Sequence, residues 1–179
     1  MRIEANVTDN VVRRALAALG MRARDMRPMF AEIGEGIKAD AQMRFKDSRD
    51  PYGQAWKPLT ASTLLGRARR RAGKGGIRTK KGALRKPAQR IMASARPLLD
   101  TGRLRNSIAS RLLGNVGVEV GTSVAYAAIH QFGGQAGRGR KVAIPARPFI
   151  ATQARGLPRE YGEIINDAIV RHFAKVEPT

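Results

Sequence analysis

The side chains best suited to acid–base work in this sequence are Asp50, Asp100, His130 and His172. Asp50 opens Asp50-Pro51-Tyr52-Gly53, and Asp100 precedes Thr101-Gly102. At such positions a carboxylate accepts hydrogen bonds from the N–H groups of a turn or a first helical turn. Capping is therefore the favoured role for both, ahead of catalysis. His130 lies between Ile129 and Gln131, where a hydrogen-bonded structural imidazole outweighs a general base. His172 falls on the apolar side of a helical pattern and reads as a packed residue. Gly73-Lys74-Gly75-Gly76 has the look of a phosphate loop but lacks the preceding strand and the following Lys-Ser/Thr. No nucleophile elbow or H-E-x-x-H is present. Cysteine is absent, which removes disulfides, thiolate metal sites and thiol nucleophiles, and two histidines are few for a His-rich metal centre. The expectation is a chain that is not an enzyme, with no metal, cofactor or small-molecule substrate.

Charge is the stronger signal. The 179 residues carry 34 Lys+Arg against 14 Asp+Glu, a net of +20. Residues 1–50 hold 10 basic and 8 acidic side chains, whereas 51–159 hold 22 basic ones with only Asp100 and Glu119. Gly66 to Arg96 contains 12 basic residues and no acid, among them Arg67, Arg69, Arg70, Arg71, Lys74, Arg78, Lys80 and Lys81. Such a block repels itself and calls for an acidic protein surface, a polyanion such as DNA, or plain solvation. The stretch has no aromatic residue for base stacking, so a protein partner ranks ahead of DNA, and DNA ahead of solvent. No apolar run approaches the roughly 20 residues that span a bilayer. Met1 to Asn10 has acids and no apolar block. A soluble, intracellular product without a membrane partner is expected.

The elements that must position these residues follow from periodicity. A first helix runs from about Asp9, as N-cap, to Gly20, and a second starts near Asp25 with Pro28 in its first turn. Phe30, Ile33, Ile37, Ala41 and Phe45 form one apolar stripe along that second helix. Thr60 or Ser62 can cap a short helix through Leu65. Gly66 to Arg96 reads as a long loop or arm. Asp100 or Thr101 can cap a helical turn. Ile108–Leu113 and Val116–Val120 read as a hairpin through Gly114-Asn115. Ala125–Phe132 is a short helix or turn, 135–141 a second basic loop, and Val142–Ile144 a short edge strand ended by Pro145. A last helix spans about Pro158 to Ala174. The fold class is α+β: a small antiparallel sheet packed against a long N-terminal helix and a C-terminal helix, with a long basic arm. The length fits one domain, 1–179, with the arm inserted at about 66–96.

Three segments carry a resemblance. They are Arg44-Phe45 with Asp50-Pro51-Tyr52-Gly53-Gln54-Ala55-Trp56-Lys57-Pro58-Leu59, then Leu99 to Ile108, then Tyr126 to Gly134 with Ile144-Pro145-Ala146-Arg147-Pro148-Phe149. In this order and spacing the sequence resembles the phage virion morphogenesis, or tail completion, family of Mu-like bacteriophages, over about residues 8 to 175. The resemblance implies a structural virion protein of the neck or tail, assembled in the host bacterial cytoplasm. It also implies a ring of six copies that joins the tail to the head and touches neighbouring neck and tail proteins. The charge of the arm, not the resemblance, adds non-specific contact with packaged DNA to the expected partners. The alternative is a sequence-independent DNA-binding packaging protein. Asp50, Gly53, Trp56, Thr101, Gly102, Arg147 and Phe149 are the expected interface or structural motif. Core packing is the leading role for Trp56 and Phe149, whereas Arg147→Glu is expected to impair joining without lowering the melting temperature.

Overall fold

The computed structural model describes residues 10–72 and 75–174. They form seven α-helices and two separate two-stranded antiparallel sheets, the α+β architecture that the sequence pattern predicts. The helices are α1 (Asn10–Arg24), α2 (Arg27–Asp47), α3 (Ala61–Arg71), α4 (Lys86–Ser94), α5 (Arg103–Asn106), α6 (Ala127–Phe132) and α7 (Arg159–Ala174). The strands are β1 (Ala109–Leu112), β2 (Val118–Gly121), β3 (Gly134–Ala136) and β4 (Val142–Ile144). No helix among the described residues is long and apolar enough to cross a membrane. Asp9, the expected first cap, lies outside the described residues. α1 runs through Gly20 to Arg24, a continuation that costs about 1 kcal/mol relative to Ala at one position.

The chain divides into two compact units, and α2 contributes its first half to one and its second half to the other. The first unit comprises 1–37, 110–120 and 159–179. Met29, Ile33 and Ala168 are its buried centre, with Met26, Phe30, Ile37, Val118 and Ile165 packed around them. The β1–β2 hairpin therefore lies on α2 and α7, as expected, because Val118 shares their core. Its turn is pinned by Asn115, whose Oδ1 accepts from Met26 N at 2.5 Å and whose Nδ2 donates to Arg24 O at 2.8 Å. Gly34 permits the close approach of helix and hairpin. A Cβ there would sit 2.6 Å from Val118 Cγ2 and 3.0 Å from Ser110 Cβ.

The second unit comprises 38–109 and 121–158. Phe45, Trp56 and Phe149 form its aromatic centre, with ring centroids 5.6 Å apart for Phe45–Trp56 and 5.5 Å for Phe45–Phe149. Thr60 is the N-cap of α3, accepting from Thr63 N, as the sequence suggests. From Gly66 onward the expected loop is corrected: α3 continues to Arg71, and α4 folds back on it. Ala68, Ile77 and Ala88 are buried between them, backed by Leu65, Leu84, Ile91 and Met92. Apolar residues at helical spacing on each piece outweigh the repulsion of cations that point outward into water, where screening is strong. The second basic loop is also corrected in part. Gly134, Gln135 and Ala136 pair antiparallel with Ile144, Ala143 and Val142, a strand that glycine-rich composition concealed.

Gly34→Ala should lower the melting temperature. Helix propensity returns about 1 kcal/mol, but overpacking against a strand typically costs about 1–3 kcal/mol. Thermal unfolding by circular dichroism checks the sign.

Candidate functional site

Asp50 shows how the first signature segment is built. The carboxylate is buried, with Oδ1 accepting from Tyr52 N at 2.9 Å and Gln54 N at 2.8 Å, while Oδ2 meets Arg155 Nη1 at 2.9 Å. This is the turn-capping use expected from Asp-Pro-Tyr-Gly, closed at Gly53 with φ +82°. Arg155 also lies over the Tyr52 ring, 3.8 Å from its centroid, and Tyr52 OH donates to Gly156 O at 2.9 Å. The turn thereby fixes where Trp56 enters the core.

The third segment is bound to the first by side chains that replace backbone pairing. Trp56 Nε1 donates to Pro148 O at 2.8 Å. Arg147 is only 6% exposed; its Nε donates to Lys57 O at 2.8 Å and its Nη2 to Pro58 O at 3.1 Å. Its own N–H donates to His130 O at 2.7 Å. Gln131, on α6, holds the next two residues: Oε1 accepts from Phe149 N at 3.0 Å and Ile150 N at 3.3 Å, and Nε2 donates to Ile150 O at 2.6 Å. Gln131 was not singled out by sequence reasoning; an amide set among apolar residues in Ala-Ile-His-Gln-Phe is the signal that could have found it.

The second segment supplies the counter-charge for α3. Asp100 Oδ2 meets Arg70 Nη2 at 2.8 Å, Oδ1 meets Arg71 Nη2 at 2.8 Å, and Arg67 Nε stands 3.8 Å away. Arg67 is buried and donates through Nη1 to Arg96 O at 2.8 Å and Leu99 O at 3.1 Å. Burial raises the Asp100 carboxyl, but the Arg70 hydrogen bond and the charges of Arg67, Arg70 and Arg71 hold it below the usual carboxylate value. Burial, with the charges of Arg71 and Arg70 beside it, lowers Arg67, against the opposing pull of Asp100. The expected cap of α5 is corrected accordingly: Asp100 is an ion-pair hub, and Gly102, at φ +79°, is the N-cap residue. Thr101 keeps part of the expected role, accepting from Arg103 N at 3.4 Å.

All three segments line one cavity of about 670 Å³ in the second unit. Its wall includes Pro58, Arg67, Asp100, Gly102, His130 and Arg147. His130 Nδ1 is buried and has no hydrogen-bond partner among the described residues. Burial, then the Arg147 charge, pushes its pKa below the ordinary imidazole value. Burial, then Arg67, likewise lowers Arg147. Of the expected basic contacts, Arg67, Arg70 and Arg71 converge on Asp100, whereas Arg69, Arg78, Lys80 and Lys81 are exposed and scattered over α3 and the turn after it. Lys74 lies outside the described residues. Among the described residues no group of three or more His, Asp or Glu is arranged to hold a metal ion.

Two comparisons find relatives. The sequence model of the phage virion morphogenesis family matches residues 7–95 and 83–174. A Haemophilus influenzae protein named Mu-like prophage FluMu G protein 2 is 54% identical over 71 residues, 40% of this chain and 48% of that one. The matched stretch thus spans about half the length of the curated relative. No solved structure matches.

The geometry at Asp100 and Arg147 yields two measurable outcomes. Asp100→Asn removes the carboxylate shared by three arginines and should cost about 1–3 kcal/mol. Because the folded-state pKa lies below that of an ordinary carboxylate, this contribution is full above the ordinary value and is lost as pH falls through the folded one. Urea melts of both forms should differ at pH 7 and converge at strongly acid pH. Arg147→Glu should lower stability by about 3 kcal/mol or more, since it sets a carboxylate against two carbonyl oxygens in a buried site. That reverses the sequence expectation of an unchanged melting temperature, and denaturant titration reads it directly.

Proposed function

The chain belongs to the phage virion morphogenesis family, and from that premise we propose that it completes the tail end of the particle and joins it to the head. It acts as a structural subunit of the neck, in a ring of six copies, after assembly in the host cytoplasm. The observation that carries this reading is the mutual locking of segments far apart in sequence through Arg147, Trp56 and Gln131. A motif spent on holding extended segments rigid suits a protein whose task is to present surfaces, because preorganised segments lose little entropy on meeting neighbours. The proposal includes no catalytic step: Asp50 and Asp100 are committed to turn and ion-pair bonds. Within the motif, Asp50, Trp56, Arg147 and Phe149 act from inside the subunit, and exposed Thr101 together with the basic surface at Arg69, Lys80 and Lys81 meets neighbouring neck and tail proteins.

One observation favours a second reading. The first unit holds 10 basic and 10 acidic residues, and the second 24 basic and 4 acidic, so the whole net charge of +20 belongs to the second. Charge of that density also suits sequence-independent DNA binding.

Mass spectrometry of purified particles, with electron microscopy of particles made without the protein, tests the choice. The neck reading expects the chain in particles, six copies per tail, and free tails beside unjoined heads when it is missing. A soluble monomer absent from particles would contradict it. The DNA reading expects duplex binding that weakens steeply with salt, and particles without the chain that are joined but poorly filled.

A further inference from the structure

The cavity of the second unit has a lopsided lining. Lys57, Arg67, Arg70, Arg103 and Arg147 face it with Asp100 as their sole acid, and Asp100 is already taken by α3. Arg147 spends Nε and Nη2 on carbonyls, and it pairs with no carboxylate among the described residues. A guanidinium shut from water without a counter-charge is costly, so a carboxylate that reached it would gain charge-assisted bonds at little desolvation cost to the protein. His130 lines the same wall, and its buried Nδ1 has no hydrogen-bond partner among the described residues.

Two further features describe what would bring that carboxylate. Leu59, Leu98, Leu104 and Pro145 make part of the wall apolar. Val142, Ala143 and Ile144, three successive strand residues, all line the cavity. Neighbouring strand residues point to opposite faces, so a cavity touched by three in a row meets the strand along its edge. β4 pairs only with β3 among the described residues, which leaves that edge open to another strand.

We infer that the cavity is a docking groove for an extended, carboxylate-bearing segment of another virion protein, which pairs with the β4 edge and sets its acid against Arg147 and His130. This rests on the virion reading given above. Backbone hydrogen bonds supply affinity, and the apolar wall takes the alternate side chains, as in strand addition generally. Duplex DNA fits poorly: its phosphates lie on a convex surface, and it has no use for leucine walls.

The test titrates the full chain with a short fluorescein-labelled peptide of alternating valine and glutamate, its valine–glutamine counterpart, and a short DNA duplex. Anisotropy reads binding, and imidazole NMR reads the site, with His172 as the internal control because the sequence has two histidines. The glutamate peptide should bind and shift the His130 resonances saturably while those of His172 stay put. Arg103→Gln, at an exposed position, should weaken binding about tenfold, equivalent to about 1.4 kcal/mol. Absence of binding, an equal response to the glutamine peptide, or anisotropy that rises with His130 unmoved would each overturn the inference. A His130 shift with duplex would reassign the groove to nucleic acid. Failure here leaves the virion reading intact, since presence in particles is measured separately.

Discussion

A guanidinium buried to 6% exposure has to find acceptors for its N–H groups, and in this protein Arg147 finds them in the carbonyls of Lys57 and Pro58. Much of the second unit depends on that choice. The bonds run from one proline-stiffened extended segment to another, where no β-ladder joins the two. Around them Trp56 donates to Pro148, Phe149 packs on Phe45, and Gln131 satisfies the backbone of 149 and 150. Because carbonyls carry partial charge only, the cation of Arg147 is hydrogen-bonded but not neutralised, and it adds to burial in holding His130 below the ordinary imidazole value. One interaction thus closes the fold and leaves the cavity electrostatically positive.

The same economy of acids governs α3 and α4. Asp100 is the only carboxylate between Asp50 and Glu119, and three arginines use it. The remaining described cations of the hairpin are exposed to solvent, while Ala68, Ile77 and Ala88 hold the two helices together. Folding is achieved by separating the two tasks: apolar residues face inward at helical spacing, and charge is pushed to the periphery, where water and salt weaken repulsion. Membership of the phage virion morphogenesis family sets this charged surface among other virion proteins.

Much of this was legible in the sequence where a single period dominated. The stripe from Phe30 to Phe45, the Val118-Val120 alternation and the Asp50 turn are local patterns with one physical solution each. Thr60 as a cap belongs with them. Gly66 to Arg96 was not legible, since its apolar positions are alanines and scattered aliphatics diluted by 12 cations, and charge density alone predicts an unfolded arm. β3 was hidden for a related reason: Gly-Gln-Ala carries no strand propensity, and its pairing with β4 is decided by the neighbour. The inward turn of Arg147 was hidden too, because its acceptors lie about ninety residues away in the chain. Sequence placed Asp100 at a helix start, and only the fold of α3 brought three guanidiniums to it.

The measurement that bears most directly on this account is a reconstruction of the particle neck at side-chain resolution with the chain placed in it. The account predicts a closed ring of six copies at the head–tail junction, with the cavity beside β4 occupied by an extended segment of a neighbouring protein whose carboxylate meets Arg147. A neck without this chain, or a ring in which that cavity opens onto solvent and Arg147 meets no acid, would contradict it.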